Sequence, residues 1–195
     1  MSVRLPAPER RRQLLDVALE EFASRGYHTT SMNQVAEAAG VTKPVLYQHF
    51  RSKKALYHEL LEDVSARLVD GIAKATTEAT GPRQQVEAGL RTYFGFVNDN
   101  RAAFTLLFGG GNRRAGEFAD AARRVEDTIA EVVASLIDVP GLDGDQRRLL
   151  AHGVVGLTEG ASRHWEANGY QPEADELAQR MAELAWAGLR GIRTV

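Results

Sequence analysis

Lys43, Tyr47, Gln48 and His49 crowd into seven residues and carry an ammonium, a phenol, a carboxamide and an imidazole. All four side chains can donate hydrogen bonds to an anionic or acceptor-rich surface. Residues 43 and 47 are one helical turn apart, as are 44 and 48. A helix through this stretch turns these groups outward and leaves only Val45, Leu46 and Phe50 looking inward. An apolar back that docks and a donor-rich front that projects is what a helix entering a DNA major groove needs. Lys43 is expected at a base edge or an adjacent phosphate. Tyr47 and His49 are expected at phosphates, through the hydroxyl and a ring N–H.

The flanking residues position that helix. Ser31 can cap a preceding helix, with Gln34 three residues on to complete a capping box. Met32, Val35, Ala36 and Ala39 then fall on one face. Gly40 suits a sharp bend that needs positive φ. Thr42 caps the donor-bearing helix, and Pro44 stands in its first turn, where a missing N–H costs little. Ser31 and Thr42 can add contacts to DNA at their helix starts, and Lys53 adds charge at the next one.

Three segments resemble the amino-terminal signature of the tetracycline-repressor (TetR) family. They are Gly26-Tyr-His-Thr-Thr-Ser-Met32, Val35-Ala-Glu-Ala-Ala-Gly-Val-Thr42 and Leu46-Tyr-Gln-His-Phe-Arg-Ser-Lys53 with Leu56. The family commonly has a small residue, often glycine, where this chain has Pro44. The likeness covers the first quarter to third of the chain, and beyond Leu61 it is one of architecture. It implies an all-α fold of nine helices. Residues 1–52 would form a three-helix helix-turn-helix DNA-binding head, and residues 53–195 a six-helix ligand-binding and dimerisation body.

The totals are compatible with this. A chain of 195 residues with 44% hydrophobic and 26% charged side chains can bury a core and carry a polar surface. It has no cysteine, which excludes disulfides and thiolate metal sites and fits a reducing compartment. No run approaches the ~18 apolar residues of a membrane span. Met1–Arg12 has no apolar segment of signal-peptide type, so a cytoplasmic location is expected. Residues 1–58 hold 9 Lys+Arg and 5 Asp+Glu, and the remainder holds 15 and 21. A basic head on an acidic body fits a DNA-binding module carried by a domain that does not adhere to DNA.

Helical periodicity continues through the chain. Leu15, Ala18, Leu19 and Phe22 give the first helix its buried stripe, while Arg10-Arg11-Arg12 reads as a solvated start near the DNA backbone. Arg4, in a loose arm, is a candidate for the minor groove. A helix opened by Ser52 runs into the seventies through Leu56, Leu61, Val64 and Leu68, a rigid lever from head to body. The run Gly109–Gly116 reads as a mobile connection. It lacks the lysine and the preceding strand of a phosphate loop.

Tyr93, Phe94, Phe104, Phe108 and Phe118 form an aromatic group beside that run. Ordinary core explains any one of them. Together they suggest a wall for a small apolar or amphipathic effector, and the resemblance implies such a pocket in the body. A ligand there would displace the lever.

Dimerisation is expected on the last two helices. Gly153, Gly156, Gly160 and His164 share one face of the eighth, beside Leu150, Val154, Leu157, Ala161 and Trp165. Glu159, Arg163 and Glu166 take the opposite side. Leu177, Met181, Leu184 and Gly188 line one face of the ninth. Three helical glycines cost ~1 kcal/mol each against alanine, and close approach of another helix would compensate. The resemblance favours a four-helix interface between two copies, with the recognition helices one duplex turn apart on a near-palindromic operator.

Nothing supports catalysis. No Gly-x-Ser-x-Gly or His-Glu-x-x-His arrangement occurs. His152 and His164 are twelve residues apart on one helix, ~18 Å, too far to share a metal. No metal or cofactor is expected. The reading is a homodimeric, ligand-responsive DNA-binding repressor. The alternatives are a constitutive regulator whose pocket is merely core, or an activator.

Overall fold

The computed structural model describes residues 6–108 and 119–192. The described residues form nine α-helices and no strand, as expected. They are α1 (Ala7–Arg25), α2 (Met32–Ala38), α3 (Lys43–His49), α4 (Lys53–Thr77), α5 (Pro82–Asp99), α6 (Arg101–Phe108), α7 (Ala119–Leu136), α8 (Gly144–Ala167) and α9 (Ala174–Arg190). Arg4 and the glycine run 109–116 lie outside the described residues.

Local chemistry sets most helix ends. The Gln34 N–H donates to Ser31 Oγ at 3.3 Å, and the Ser31 N–H donates to Gln34 Oε1 at 2.8 Å, completing the capping box. Thr42 occupies the N-cap of α3 without a side-chain bond, and Pro44 and Pro82 fall in first turns. Ser52 Oγ accepts from the Ala55 N–H at 3.0 Å. A second capping box, Asp143 with Gln146, opens α8 with bonds of 2.8 and 2.9 Å. The first helix starts at Ala7, ahead of the basic triplet, because Pro8 is tolerated in a first turn.

The chain packs as two compact units, Met1–Val64 with Ala102–Ala121 and Ser65–Arg101 with Ala122–Val195. Packing therefore divides the chain elsewhere than at 52/53, where a change of role is expected. Leu56, Tyr57, Leu60, Leu61 and Val64 of α4 are buried with the first unit.

In that unit Leu14, Leu15, Ala18, Leu19 and Phe22 make the inner face of α1. Phe22, Tyr27 and Tyr57 form a ring trio, with centroids 5.2 Å apart for Phe22–Tyr57 and 4.8 Å for Tyr27–Tyr57. Burial of each such side chain contributes ~1.5–3 kcal/mol.

In the second unit α9 packs chiefly along α5, and α8 meets both. Phe94 stands edge-on to Trp165 at 6.3 Å, and Trp165 Nε1–H donates to the Pro172 carbonyl at 2.6 Å. The inner face of α8 differs from the one periodicity suggests. Ala151, Val155, Thr158, Glu159, Ser162 and Trp165 are buried, whereas Leu150, Val154, Leu157 and Ala161 are only partly so. Thr158 and Glu159 tolerate this burial by bonding locally. The Thr158 hydroxyl donates to the Val155 carbonyl at 2.8 Å, and Glu159 pairs with Arg163 at 3.5 Å.

Candidate DNA-binding surface and ligand cavity

The seven-residue α3 is ~10 Å long at 1.5 Å per residue, which suits a single pass into a major groove. Leu46 and Phe50 anchor it, at 0% and 2% exposure. Thr42, Lys43, Pro44, Tyr47 and Gln48 all face outward, and His49 is partly covered. Lys43 Nζ lies 6.0 Å from the Tyr47 ring centroid, so cation and phenol form one patch. Ser31 is exposed at the start of α2. The bend between the helices is held by the Val41 N–H, which donates to the Ala36 carbonyl at 2.9 Å, with Gly40 at φ 64°.

Three basic residues are placed otherwise than expected. Lys53 Nζ donates to the carbonyls of Tyr27 at 2.8 Å and Thr30 at 2.9 Å, and lies 4.3 Å from the Tyr27 ring centroid. Its ammonium fastens the turn that leads into α2. Carbonyls past a helix end lack helical partners and attract such a donor.

Arg11 and Arg12 do not form a freely solvated helix start. Arg11 donates to the His49 carbonyl at 2.7 Å, pairs with Glu59, and stacks 4.6 Å from the Phe50 ring centroid. Arg12 pairs with Asp63 at 2.7 Å and Asp16 at 3.3 Å. The i,i+4 spacing of Glu59 and Asp63 on α4 was the available sequence signal for these pairs.

The second unit encloses a cavity of about 400 Å³, within the ~300–1,000 Å³ of small-molecule sites. Ile72 and Thr76 of α4, Leu90 and Tyr93 of α5, and Ile129 and Val133 of α7 line it. Val155 and Thr158 of α8 and Trp186 and Leu189 of α9 complete most of its wall. Exposed Asp138 and Arg190 also border it.

Of the described members of the aromatic group, only Tyr93 lines this space. Phe94 and Phe104 are buried, at 0% and 1% exposure, but neither borders the cavity. Successive helical positions point ~100° apart, and Phe94 is directed at Trp165 instead of the cavity. Phe104 belongs to the other unit. The Phe108 side chain and Phe118 lie outside the described residues. The cavity is mainly aliphatic, and its residues have the pattern of any core.

Burial pushes the Tyr93 hydroxyl up to about 12, with Ser162 nearby opposing the shift and the Glu159 charge adding to it. Tyr93 Oη and Ser162 Oγ lie near one another, yet neither completes a hydrogen bond of ordinary geometry.

One face of the second unit is uncovered. Leu149 and Leu184 are 73% and 54% exposed. Gly153, Gly156, Gly160 and His164 are exposed along α8, and Gly188 on α9. A Cβ added at any of these four glycines would meet no atom within 4 Å, so packing inside the protomer does not require them. Met181 is half-covered, and Leu177 is buried at 8% exposure.

No described helix is long and apolar enough to cross a membrane, and no described His, Cys, Asp or Glu cluster has metal-binding geometry. Residues 14–60 match the model of bacterial regulatory proteins of the tetR family, and residues 82–188 that of the tetracyclin repressor-like C-terminal domain. The HTH-type transcriptional activator FasR of Mycolicibacterium smegmatis is 34% identical over 95% of this chain and 85% of its own. The HTH-type transcriptional repressor KstR2 of the same organism is 25% identical over 92% and 90%. A TetR-like regulator from Rhodococcus sp. RHA1 superposes with TM-score 0.79 at 31% identity, covering 97% of this chain and 100% of that one. The FadR regulator of Bacillus subtilis, solved with stearoyl-CoA, shares the fold at TM-score 0.79 and 17% identity, covering 93% and 99%. A helix-turn-helix with its donors outward, carried by an all-α body, is thus found in a lineage of transcription factors rather than enzymes, and the chain belongs to the TetR family of DNA-binding transcriptional regulators.

Proposed function

We propose that this regulator is a ligand-responsive repressor that works as a cytoplasmic homodimer on a near-palindromic operator. The reading assigns operator contact to residues 1–52 and effector binding and dimerisation to residues 53–195. Lys43 reads a base edge, while Tyr47, Gln48 and His49 hold the backbone beside Pro44, with Ser31 and Thr42 at the helix starts. Lys53 acts by fixing the turn into α2.

One observation carries the ligand response. Ile72 and Thr76, in the second half of α4, are part of the cavity wall, and the same unbroken helix begins at Lys53 beside the recognition helix in sequence. A ligand that prefers one position of α4 shifts the regulator between two states, and only such unequal affinity can do so. The aliphatic wall suits an acyl chain, and the FadR fold-mate solved with stearoyl-CoA supports that class of effector. Among the aromatic residues, Tyr93 is the wall residue assigned to the ligand.

The test titrates stearoyl-CoA and stearic acid into the protein bound to a duplex selected from a randomised library. Release by either supports the reading. Binding of neither, seen as an unchanged melting temperature, leaves a constitutive regulator.

A second reading, activation, is favoured by FasR, an activator at 34% identity. Transcript levels of the genes nearest the bound sites, with and without the protein, separate the two.

A further inference from the structure

We infer that Arg11 is a positioning residue for operator recognition, a brace that fixes the carboxyl end of α3 against α1 and α4. The inference rests on α3 being the recognition helix. A helix of seven residues does not hold its own shape in water. Its last carbonyls have no helical partner, and its carboxyl end carries partial negative charge. Arg11 answers both needs. One guanidinium nitrogen donates to the His49 carbonyl at 2.7 Å, at the final residue of α3. Another pairs with Glu59 of α4, and the planar face lies 4.6 Å from the centroid of Phe50, the C-cap of α3. Only a guanidinium offers a donor fork and a stacking face together, whereas a lysine ammonium at this place keeps the charge and one bond.

The pair is half-exposed, with side-chain exposures of 40% and 32%. A pair so exposed contributes little to stability, so its value is in geometry. It fixes the end of α3 that carries Tyr47, Gln48 and His49. The charge of Arg11 is also neutralised by Glu59, which argues against a phosphate contact of its own.

The experiment uses the full-length protein, a duplex selected from a randomised library, and a random-sequence duplex of equal length. The deciding variant is Arg11→Gln with Glu59→Gln, which removes both charges and keeps the net charge. It is expected to bind the selected duplex about tenfold more weakly while random-duplex affinity changes by less than about twofold. The salt dependence is expected to keep its slope, and Arg11→Lys is expected to fall between the double variant and the native protein.

Equal loss on both duplexes with a slope shallower by ~1 would make Arg11 a phosphate contact and overturn the inference. Unchanged preference overturns it as well. So does failure of the double variant to fold, because the brace would then be a stability element. Lys43→Ala is measured in parallel. If it leaves sequence preference intact, the assignment of α3 as the reader fails. If it relaxes preference while the double variant does not, only the role of Arg11 fails.

Discussion

The Lys53 ammonium lies 2.8 Å from the Tyr27 carbonyl oxygen and 4.3 Å from the centroid of the same residue's ring. One side chain from the start of α4 thus holds the turn between α1 and α2 by hydrogen bond and by ring face. A charged hydrogen bond contributes ~1.5–3 kcal/mol, reduced here because the residue is partly exposed. Lys53→Met is expected to destabilise the protein by ~1–2 kcal/mol in urea. An unchanged urea midpoint would show that the clamp is not needed for the fold.

On the recognition helix, Lys43→Ala is expected to weaken binding to a selected duplex by ~1–3 kcal/mol and to flatten sequence preference. Tyr47→Phe removes only a hydroxyl that is directed at phosphate in this reading. It is expected to weaken selected and random duplexes alike. Mobility shifts at one fixed salt concentration compare them, and unchanged affinity for both variants would remove α3 from the contact surface.

Filling the cavity tests the effector site without touching DNA contacts. Val133 lines the space and is partly covered. Val133→Trp adds bulk there and is expected to abolish thermal stabilisation by an acyl ligand while leaving duplex affinity intact. Phe104→Ala, in the other unit, is expected to keep the ligand response. Ligand binding that survives Val133→Trp would place the effector elsewhere.

Tyr93 adds a pH dependence with a definite sign. Its hydroxyl is raised from 10.0 to about 12 by burial, so between these values the unfolded chain releases a proton that the folded chain retains. Stability is whole below pH ~10 and falls as pH rises towards ~12, by up to ~2–3 kcal/mol. Tyr93→Phe is expected to remove this alkaline loss. At neutral pH it is expected to be neutral or stabilising, because the native hydroxyl completes no hydrogen bond. Urea midpoints at neutral pH and at pH ~11 compare the two proteins. Parallel alkaline curves would show that another group titrates there.

Gly156→Leu with Gly160→Leu tests the dimer face. Both glycines have room for a side chain in the protomer, so the double variant is expected to fold, and to fold more stably as a monomer. Sedimentation is expected to show loss of dimer, with operator affinity falling towards the non-specific level. A dimer that persists with full affinity would put the interface on another face.

The recognition helix was legible because its signals are local: a capping box, a glycine bend, a proline in a first turn, and donors at helical spacing. The braces were not. Arg11 and Glu59 are remote in sequence, and an arginine run reads as a solvated surface until its carboxylates are located. The inner face of α8 was misread because Thr158, Glu159 and Ser162 look like surface residues. Yet Thr158 and Glu159 are buried with local bonds and Ser162 with its hydroxyl unbonded, none of which periodicity registers. The cavity was illegible for the opposite reason. Ile129, Val133 and Val155 have ordinary core chemistry, and a void between helices leaves no mark on any one of them. Clustered phenylalanines drew attention because aromatic residues are conspicuous, yet Phe94 packs on Trp165.

The brace on α3 also constrains how the head comes into being. His49 and Arg11 are separated by 38 residues, and Arg11 and Glu59 by 48. The shortest helices of the head therefore wait for partners made much earlier and slightly later in synthesis. A nascent chain that has emerged only to residue 52 has Phe22 and Tyr27 without Tyr57, and Arg11 without Glu59. It holds all of α3 in sequence and lacks these contacts from α4. The compact unit that contains α3 runs on through Val64 of α4, past residue 52. Translation must carry the first turns of α4 clear of the ribosome before Glu59 can pair with Arg11 and Tyr57 can pack on Phe22 and Tyr27.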